Sequence, residues 1–281
     1  MTTRREFVRT AAAATAAAAV PEAMRAHAPR VERLDRIGVQ LYTVRTEMAK
    51  SVEATLERVA AIGYREVEFA GYYDREPAAL RATLDRLGLS APACHVALEA
   101  LDGPFDATAA AARALGHRWM IVPSLAGRFF QSVAALRELA ARFNAIGRRA
   151  RDAGLRYGFH NHNAEFRPVE GAVPMEILLA ETDPALVDFE MDLYWITQAG
   201  ADPLAWFAKH PGRFRLVHVK DSAGAPQHEM RDVGAGTMDW KALFARRRLA
   251  GIEHFIVEHD RPADPFASVT ASYQYLKALE F

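Results

Sequence analysis

Residues 157–162 read Tyr-Gly-Phe-His-Asn-His, and residues 187–193 read Val-Asp-Phe-Glu-Met-Asp-Leu. Side chains alternate between the two faces of a strand. In the second stretch Phe189, Met191 and Leu193 therefore share one face, and Glu190 and Asp192 share the other. Large apolar groups on one face call for a covering layer of helices. Acidic groups on the opposite face point into an interior, and a closed barrel provides one. The same parity recurs along the chain. Gly158, His160 and His162 fall on one face, as do Leu216, His218 and Lys220, and Ile256, Glu258 and Asp260. Gly38, Gln40 and Tyr42 do so near the start, followed by Glu66 and Glu68. The polar members sit mostly toward the C-terminal end of each run, where barrel enzymes carry their chemistry.

Outward from these runs, apolar segments alternate with helical patterns from residue 36 onward. Strands are predicted over 37–42, 66–69, 91–96, 119–122, 156–160, 186–192, 214–219 and 254–258. Helices are predicted over 51–61, 77–87, 106–115, 131–153, 173–181, 203–209, 240–247 and 264–279. Eight strand–helix units in about 245 residues match a (β/α)8 TIM barrel. A doubly wound α/β sheet would open with a Gly-rich phosphate turn after its first strand. After Tyr42 the chain instead reads Thr-Val-Arg-Thr-Glu-Met, with no glycine. No linker composition interrupts the pattern, so 36–281 is expected to form one barrel domain.

The first 28 residues are of another kind. Arg4-Arg5-Glu6-Phe7-Val8-Arg9 precedes an alanine run over 11–19, broken only by Thr15. A charged start, a weakly apolar stretch and small residues read as an export signal. The run is shorter than the ~20 apolar residues of a membrane span, so no stable anchor is expected. Arg-Arg-x-Phe resembles the twin-arginine signal. That resemblance implies the twin-arginine export machinery as a partner, a periplasmic or exported location, and cofactor loading before export. Ala26-His27-Ala28 fits the small-x-small cleavage rule, whereas Pro29 behind it is unfavourable.

Composition removes several classes. Cys94 is the one cysteine, which excludes an intrachain disulfide and a Cys-rich zinc site. Lys+Arg and Asp+Glu each number 35. Nucleic-acid binders draw their affinity from phosphate neutralisation, so a neutral chain is expected to have no nucleic-acid partner. The arginines of 148–151 and 246–248 read as solvated helix faces.

His160, Asp192, His218 and Glu258 are the candidates for chemistry. They come from successive inward-facing runs, each about one strand–helix unit from the next, so their side chains can converge at the barrel mouth. Two imidazoles and two carboxylates suit one divalent ion such as Mn²⁺, Co²⁺, Fe²⁺ or Zn²⁺ more than Mg²⁺, which prefers oxygen ligands. An inward acid without a partner is costly to bury, and a cation removes that cost.

The phrases Ile37-Gly-Val-Gln-Leu-Tyr42, Tyr157-Gly-Phe-His-Asn-His162, Met191-Asp-Leu-Tyr-Trp195, His218-Val-Lys-Asp221 and Val257-Glu-His-Asp260 resemble the xylose isomerase-like barrel superfamily, in its sugar phosphate isomerase/epimerase branch. The resemblance covers residues 36–281. It implies one divalent metal held by a Glu, an Asp, a His and a Glu from the last four strands. Asp192, His218 and Glu258 match the last three, and His160 stands where the epimerases have the first Glu. It further implies a sugar or polyol substrate, removal of an α-proton, and an enediolate stabilised by the metal. Glu258 is the expected base, with His162 next. Lys220 is expected to offset oxyanion charge. The expected substrate contacts are Gln40, Tyr42, Glu68, Trp195 and Arg231. Tyr42 and Trp195 would stack on an apolar sugar face, and Arg231 would reach in from the 221–239 segment.

The histidine at the first position removes one of the paired carboxylates of a two-base epimerase. An isomerase or epimerase here would draw its second proton-transfer group from His162, Lys220 or Glu190. A dehydratase or β-eliminating lyase on a keto-sugar or keto-glycoside needs one base and fits the same residues. An inactive carbohydrate-binding barrel, needing no metal, is the alternative of a different class.

Overall fold

The computed structural model describes residues 31–281. The signal read at 1–28 lies outside them. Eight parallel strands close into a barrel: β1 (Gly38–Gln40), β2 (Glu66–Phe69), β3 (Ser90–His95), β4 (Trp119–Val122), β5 (Arg156–His160), β6 (Val187–Asp192), β7 (Phe214–Val219) and, after a short antiparallel pair β8 (Asp221–Ser222) and β9 (Met230–Arg231), the closing strand β10 (His254–Val257). β10 returns to β1 with Gly38 opposite Ile256. The expected (β/α)8 architecture is what forms.

The alternation read from the sequence sorts the two cores. Outward residues such as Val39, Val67, Phe159, Phe189, Met191 and Val217 join one apolar layer with the helices. Inward, Ala93, Trp119, Ile121, Leu216 and Ile256 form a separate cluster inside the barrel. Glycine makes room for it at two inward positions. A Cβ on Gly158 would lie 3.2 Å from Ile121 Cγ1, and one on Gly38 would lie 3.3 Å from Ile256 Cγ1.

Helices start where the sequence signals them. Ser51, Ser132, Asp202 and Asp264 each accept a backbone N–H of the first turn that follows. Proline occupies the first turn after Asp202 and Asp264, where its missing N–H costs nothing. Two of the boundaries that differ from the sequence reading bear on the site. β1 ends at Gln40, not Tyr42, because the Gln40 side-chain oxygen accepts the Tyr42 N–H at 3.0 Å and the chain turns there. β10 ends at Val257, so Glu258 stands just past the strand, its N–H on the Val219 carbonyl at 3.3 Å. Among the described residues no helix is long and apolar enough to cross a membrane.

Candidate active site

The C-terminal mouth is built strand by strand. At the end of β6, Asp192 is also the N-cap of the helix Leu193–Gln198. Its Oδ1 accepts the N–H groups of Tyr194 and Trp195, both at 2.9 Å. That fixes the carboxylate and leaves Oδ2, buried, to face the Lys220 ammonium at 2.8 Å. Asn161, one residue past β5, accepts the Asp192 N–H at 3.1 Å and locks the ends of the two strands together. After β7, Asp221 accepts the N–H groups of Gly234 (2.8 Å) and Met238 (3.2 Å) and the Trp240 indole N–H (2.9 Å). It thereby ties down the segment between β7 and the next helix. A Cβ on Gly236 would lie 2.1 Å from an Asp221 oxygen, so only glycine lets the segment approach this closely.

His160, Asp192, His218 and Glu258 converge. One ligand atom from each lies within 4.8 Å of the others, and all four residues are buried. Ligands about 2.1 Å from a shared ion lie about 3.4 Å apart when tetrahedral, so small side-chain adjustments close the set around a cation. The acid excess supports the fit. Asp192, Glu258 and Asp260 surround one ammonium, Lys220, while Glu68 and Glu190 lie behind the imidazoles, and Glu68 Oε1 and Glu190 Oε1 are buried with no hydrogen-bond partner. Buried polar atoms are nearly always satisfied. A divalent cation suits these residues.

Lys220 lies at the centre of the group. Its Nζ is 2.8 Å from Asp192 Oδ2, 2.6 Å from Glu258 Oε2 and 2.8 Å from Asp260 Oδ1. Burial alone would lower its pKa, but the three carboxylates outweigh that and hold it well above the usual lysine range. Burial would likewise raise Glu258, but Lys220 and His218 hold it well below the carboxylate range. Burial pushes His162 down to about 4, with Lys220 adding to the effect, so its imidazole is neutral at pH 7.

A second layer lies beneath these residues. His218 Nδ1 meets Glu258 Oε2 at 2.7 Å, and its Nε2 meets Glu68 Oε2 at 2.7 Å. His160 Nδ1 meets Glu190 Oε2 at 3.2 Å, with its Nε2 3.6 Å from Asp192 Oδ2. Each imidazole thus has one nitrogen toward the ligand group and one toward a buried carboxylate, an arrangement that fixes ring orientation in metal sites. Gln40 Nε2 donates to Glu68 at 2.8 Å and approaches His95 Nδ1 at 3.3 Å, leaving His95 Nε2 to donate to Glu190 at 3.0 Å.

The cavity above has a volume of about 650 Å³ and is lined by His95, His160, His162, Lys220, Glu258, Asp260 and Tyr42, among others. The three expected catalytic residues, Glu258, His162 and Lys220, all face it. The expected substrate contacts divide. Tyr42 lines the cavity with Arg45 over its ring. Gln40 and Glu68 face inward but do not line it; both are fully buried in the second layer. Trp195 packs against His162 and lines a smaller side cavity with Met230 and His259. Arg231 lines neither cavity. It is exposed on β9 and paired with Glu229 at 2.6 Å. The sequence reading misses His95, although it shares the inward parity of β3 with Ala93.

Relatives place this geometry in context. The profile of the xylose isomerase-like TIM barrel family matches residues 56–279. An inosose dehydratase of Lacticaseibacillus casei is 24% identical over 274 residues, covering 83% of this chain and 91% of that protein. The crystal structure of a sugar phosphate isomerase/epimerase from Parabacteroides distasonis superposes with a TM-score of 0.77 at 27% identity, over 87% of this chain and 98% of that one. The IOLI protein, whose structure has a bound zinc atom, shares the fold at 14% identity, with a TM-score of 0.69 over 85% of this chain and 95% of that one. Barrel, inward polar cluster and family profile agree, and the chain belongs to the xylose isomerase-like TIM barrel family.

Proposed function

We propose that the protein is a divalent-metal-dependent dehydratase or β-eliminating lyase acting on a keto-sugar, keto-polyol or keto-glycoside. One observation carries this reading over two-base epimerisation. Of the four candidate ligands Glu258 is the one carboxylate that lines the cavity, and the other one that lines it is an imidazole, His160. The other carboxylate near the floor, Asp260, is engaged by Lys220 at 2.8 Å. The inosose dehydratase relative supports an elimination.

The residues divide the work as follows. His160, Asp192, His218 and Glu258 would hold a divalent cation, which would supply a Lewis acid for the substrate carbonyl. Glu258 removes the α-proton. The Lys220 ammonium, fixed by Asp192 and Asp260, offsets the charge that grows on the substrate oxygen. The proton taken by Glu258 is then available to the departing β-oxygen, which leaves as water or as an alcohol. In a second reading, isomerisation or epimerisation, the neutral His162 imidazole on the cavity wall handles the other proton. The likeness to the Parabacteroides distasonis protein favours it.

Metal-loaded protein incubated in D₂O with a panel of keto-sugars and keto-polyols, followed by NMR, separates the readings. Elimination gives an unsaturated product with release of water or an alcohol. Isomerisation gives a rearranged sugar carrying deuterium at the α-carbon. Turnover with full retention of the α-C–H would sink both.

We also propose export by the twin-arginine pathway, on the strength of Arg4-Arg5-Glu6-Phe7 and the alanine run behind it. Replacing Arg4 and Arg5 by lysine is expected to abolish accumulation in the periplasm. Unchanged periplasmic levels would refute it.

A further inference from the structure

We infer that the cavity holds, beside its polar floor, a subsite for a planar apolar group, and that the ligand is a sugar joined to an aromatic substituent. The sugar half rests on the function proposed above; the apolar half rests on the cavity wall. The floor residues His160, His162, Lys220, Glu258 and Asp260 come from the β5, β7 and β10 side of the barrel. The β3–β4 side is different in kind. There, beside His95 of β3 and the rim residues Glu99 and Ser124, the cavity is lined by Leu98, which follows β3, and by Pro123, Leu125 and Phe129, which follow β4.

Leu98 is 3% exposed. Leu125 and Phe129 are half-buried, pack on the main core and turn their remaining surface to the cavity. Their side chains offer a sugar hydroxyl neither donor nor acceptor, and a hydroxyl seated against them would be desolvated without a partner. A single sugar ring on the floor does not fill 650 Å³, a volume in the range of sites for larger organic ligands.

The wall is also braced. Arg128 stacks on Phe129 with its guanidinium 4.8 Å from the ring centre and reaches Glu99 at 3.5 Å. Arg142 lies 5.6 Å from the same ring and its Nε donates to Asp102 at 3.0 Å. These contacts tie the helix Leu98–Asp102, after β3, to the segment after β4. A braced apolar wall loses little freedom on binding. Phe129 and Tyr42 give aromatic surface to the cavity, and flat rings recognise flat rings.

The test uses 2-naphthol, which has no sugar and no reactive carbonyl, so it reads the wall independently of any turnover. Fluorescence titration of the wild-type protein is expected to show one saturable site. Leu125→Asp and Phe129→Ser are each expected to weaken it at least tenfold, with circular dichroism and metal content unchanged, while Leu125→Met binds as wild type. Absence of saturable binding, or equal binding by both disruptive variants, overturns the subsite. In a second arm, 2-naphthyl glucoside is expected to bind at least tenfold tighter than methyl glucoside, and equal affinities overturn the conjugate. If naphthol binding depends on the wall but no keto-sugar is turned over, the proposed reaction fails and the subsite stands.

Discussion

At the N-terminal end of the barrel, Asp188 accepts the Trp119 indole N–H at 2.7 Å and the Arg156 guanidinium at 2.7 Å, and Glu66 meets His254 at 2.7 Å. At the C-terminal end, Glu68 and Glu190 each keep a buried oxygen with no hydrogen bond. Both ends hold inward-facing acids placed by the same strand parity. One end satisfies them with arginine, histidine and tryptophan; the other sets three carboxylates on Lys220 and leaves an oxygen of Glu68 and of Glu190 without a partner. Local dissatisfaction in an otherwise consistent fold marks function. The lower end is built for stability, and the mouth is built to receive charge from outside.

Substitutions at the two ends should therefore fail in different ways. Glu258→Gln, at the mouth, is expected to lower turnover by about 10²–10⁴-fold, with little loss of folding stability. Metal content measured alongside separates lost proton transfer from lost ligation. Asp188→Ala, at the lower end, leaves the Trp119 N–H and Arg156 without their acceptor. It is expected to cost about 4 kcal/mol of unfolding free energy, while turnover per folded molecule stays near wild type. Denaturant unfolding and active-site-normalised rates check the pair. Equal stability losses at both ends would erase the distinction.

What the sequence reveals of this contrast follows from what a period of two encodes. Phe189 and Met191 against Glu190 and Asp192 fix sidedness, and sidedness is enough to bring His160, Asp192, His218 and Glu258 into one group. It does not fix height along the barrel axis. Gln40 and Glu68 are inward, yet the register of β1 against β2 sets Glu68 opposite Gln40 and under His218, below the cavity. Height depends on strand tilt and stagger around the closed sheet, which no single strand records. The wall of Leu98, Leu125 and Phe129 lies in connections without periodicity, so nothing in the local pattern assigns those residues to the mouth. The cap that Asp192 makes on the helix Leu193–Gln198, and the meeting of its second oxygen with Lys220, follow only from the packed mouth.

A carboxyl near the mouth but outside the ligand group sharpens the comparison through pH. Glu165 is 2% exposed, and its one hydrogen bond as acceptor comes from the His162 N–H at 2.9 Å. Burial pushes its pKa from 4.5 up to about 7. In the unfolded chain the carboxyl ionises near 4.5, whereas the folded protein holds its proton until about pH 7. Stability from this group is therefore present below pH 4.5 and is lost as pH rises through 7. Glu165→Gln does not titrate and can keep the acceptor. It is expected to match wild type at pH 4.5 and to exceed it by up to about 3 kcal/mol at pH 8. Melting curves of both proteins at the two pH values decide the matter. A gap that does not widen with pH would mean that the folded protein stabilises the Glu165 anion.

The smallest effect is expected at Arg231, where sequence and structure part company. Its place after β7 makes it an expected substrate contact, but its side chain is 48% exposed, pairs with Glu229 at 2.6 Å and lines neither cavity. Solvent-exposed pairs of this kind contribute about 0–1 kcal/mol. Arg231→Ala should leave kcat/KM within twofold of wild type and the melting temperature nearly unchanged. If KM rose tenfold with kcat intact, Arg231 would have to leave Glu229 and swing over the mouth when substrate binds. The segment that Asp221 ties down would then close on the ligand, and the mouth would be completed in part by a residue that packs outside it when empty. A melting temperature lowered with KM unchanged would instead mean that the Arg231–Glu229 pair braces the β8–β9 hairpin, extending the paired charges of the lower end to the rim.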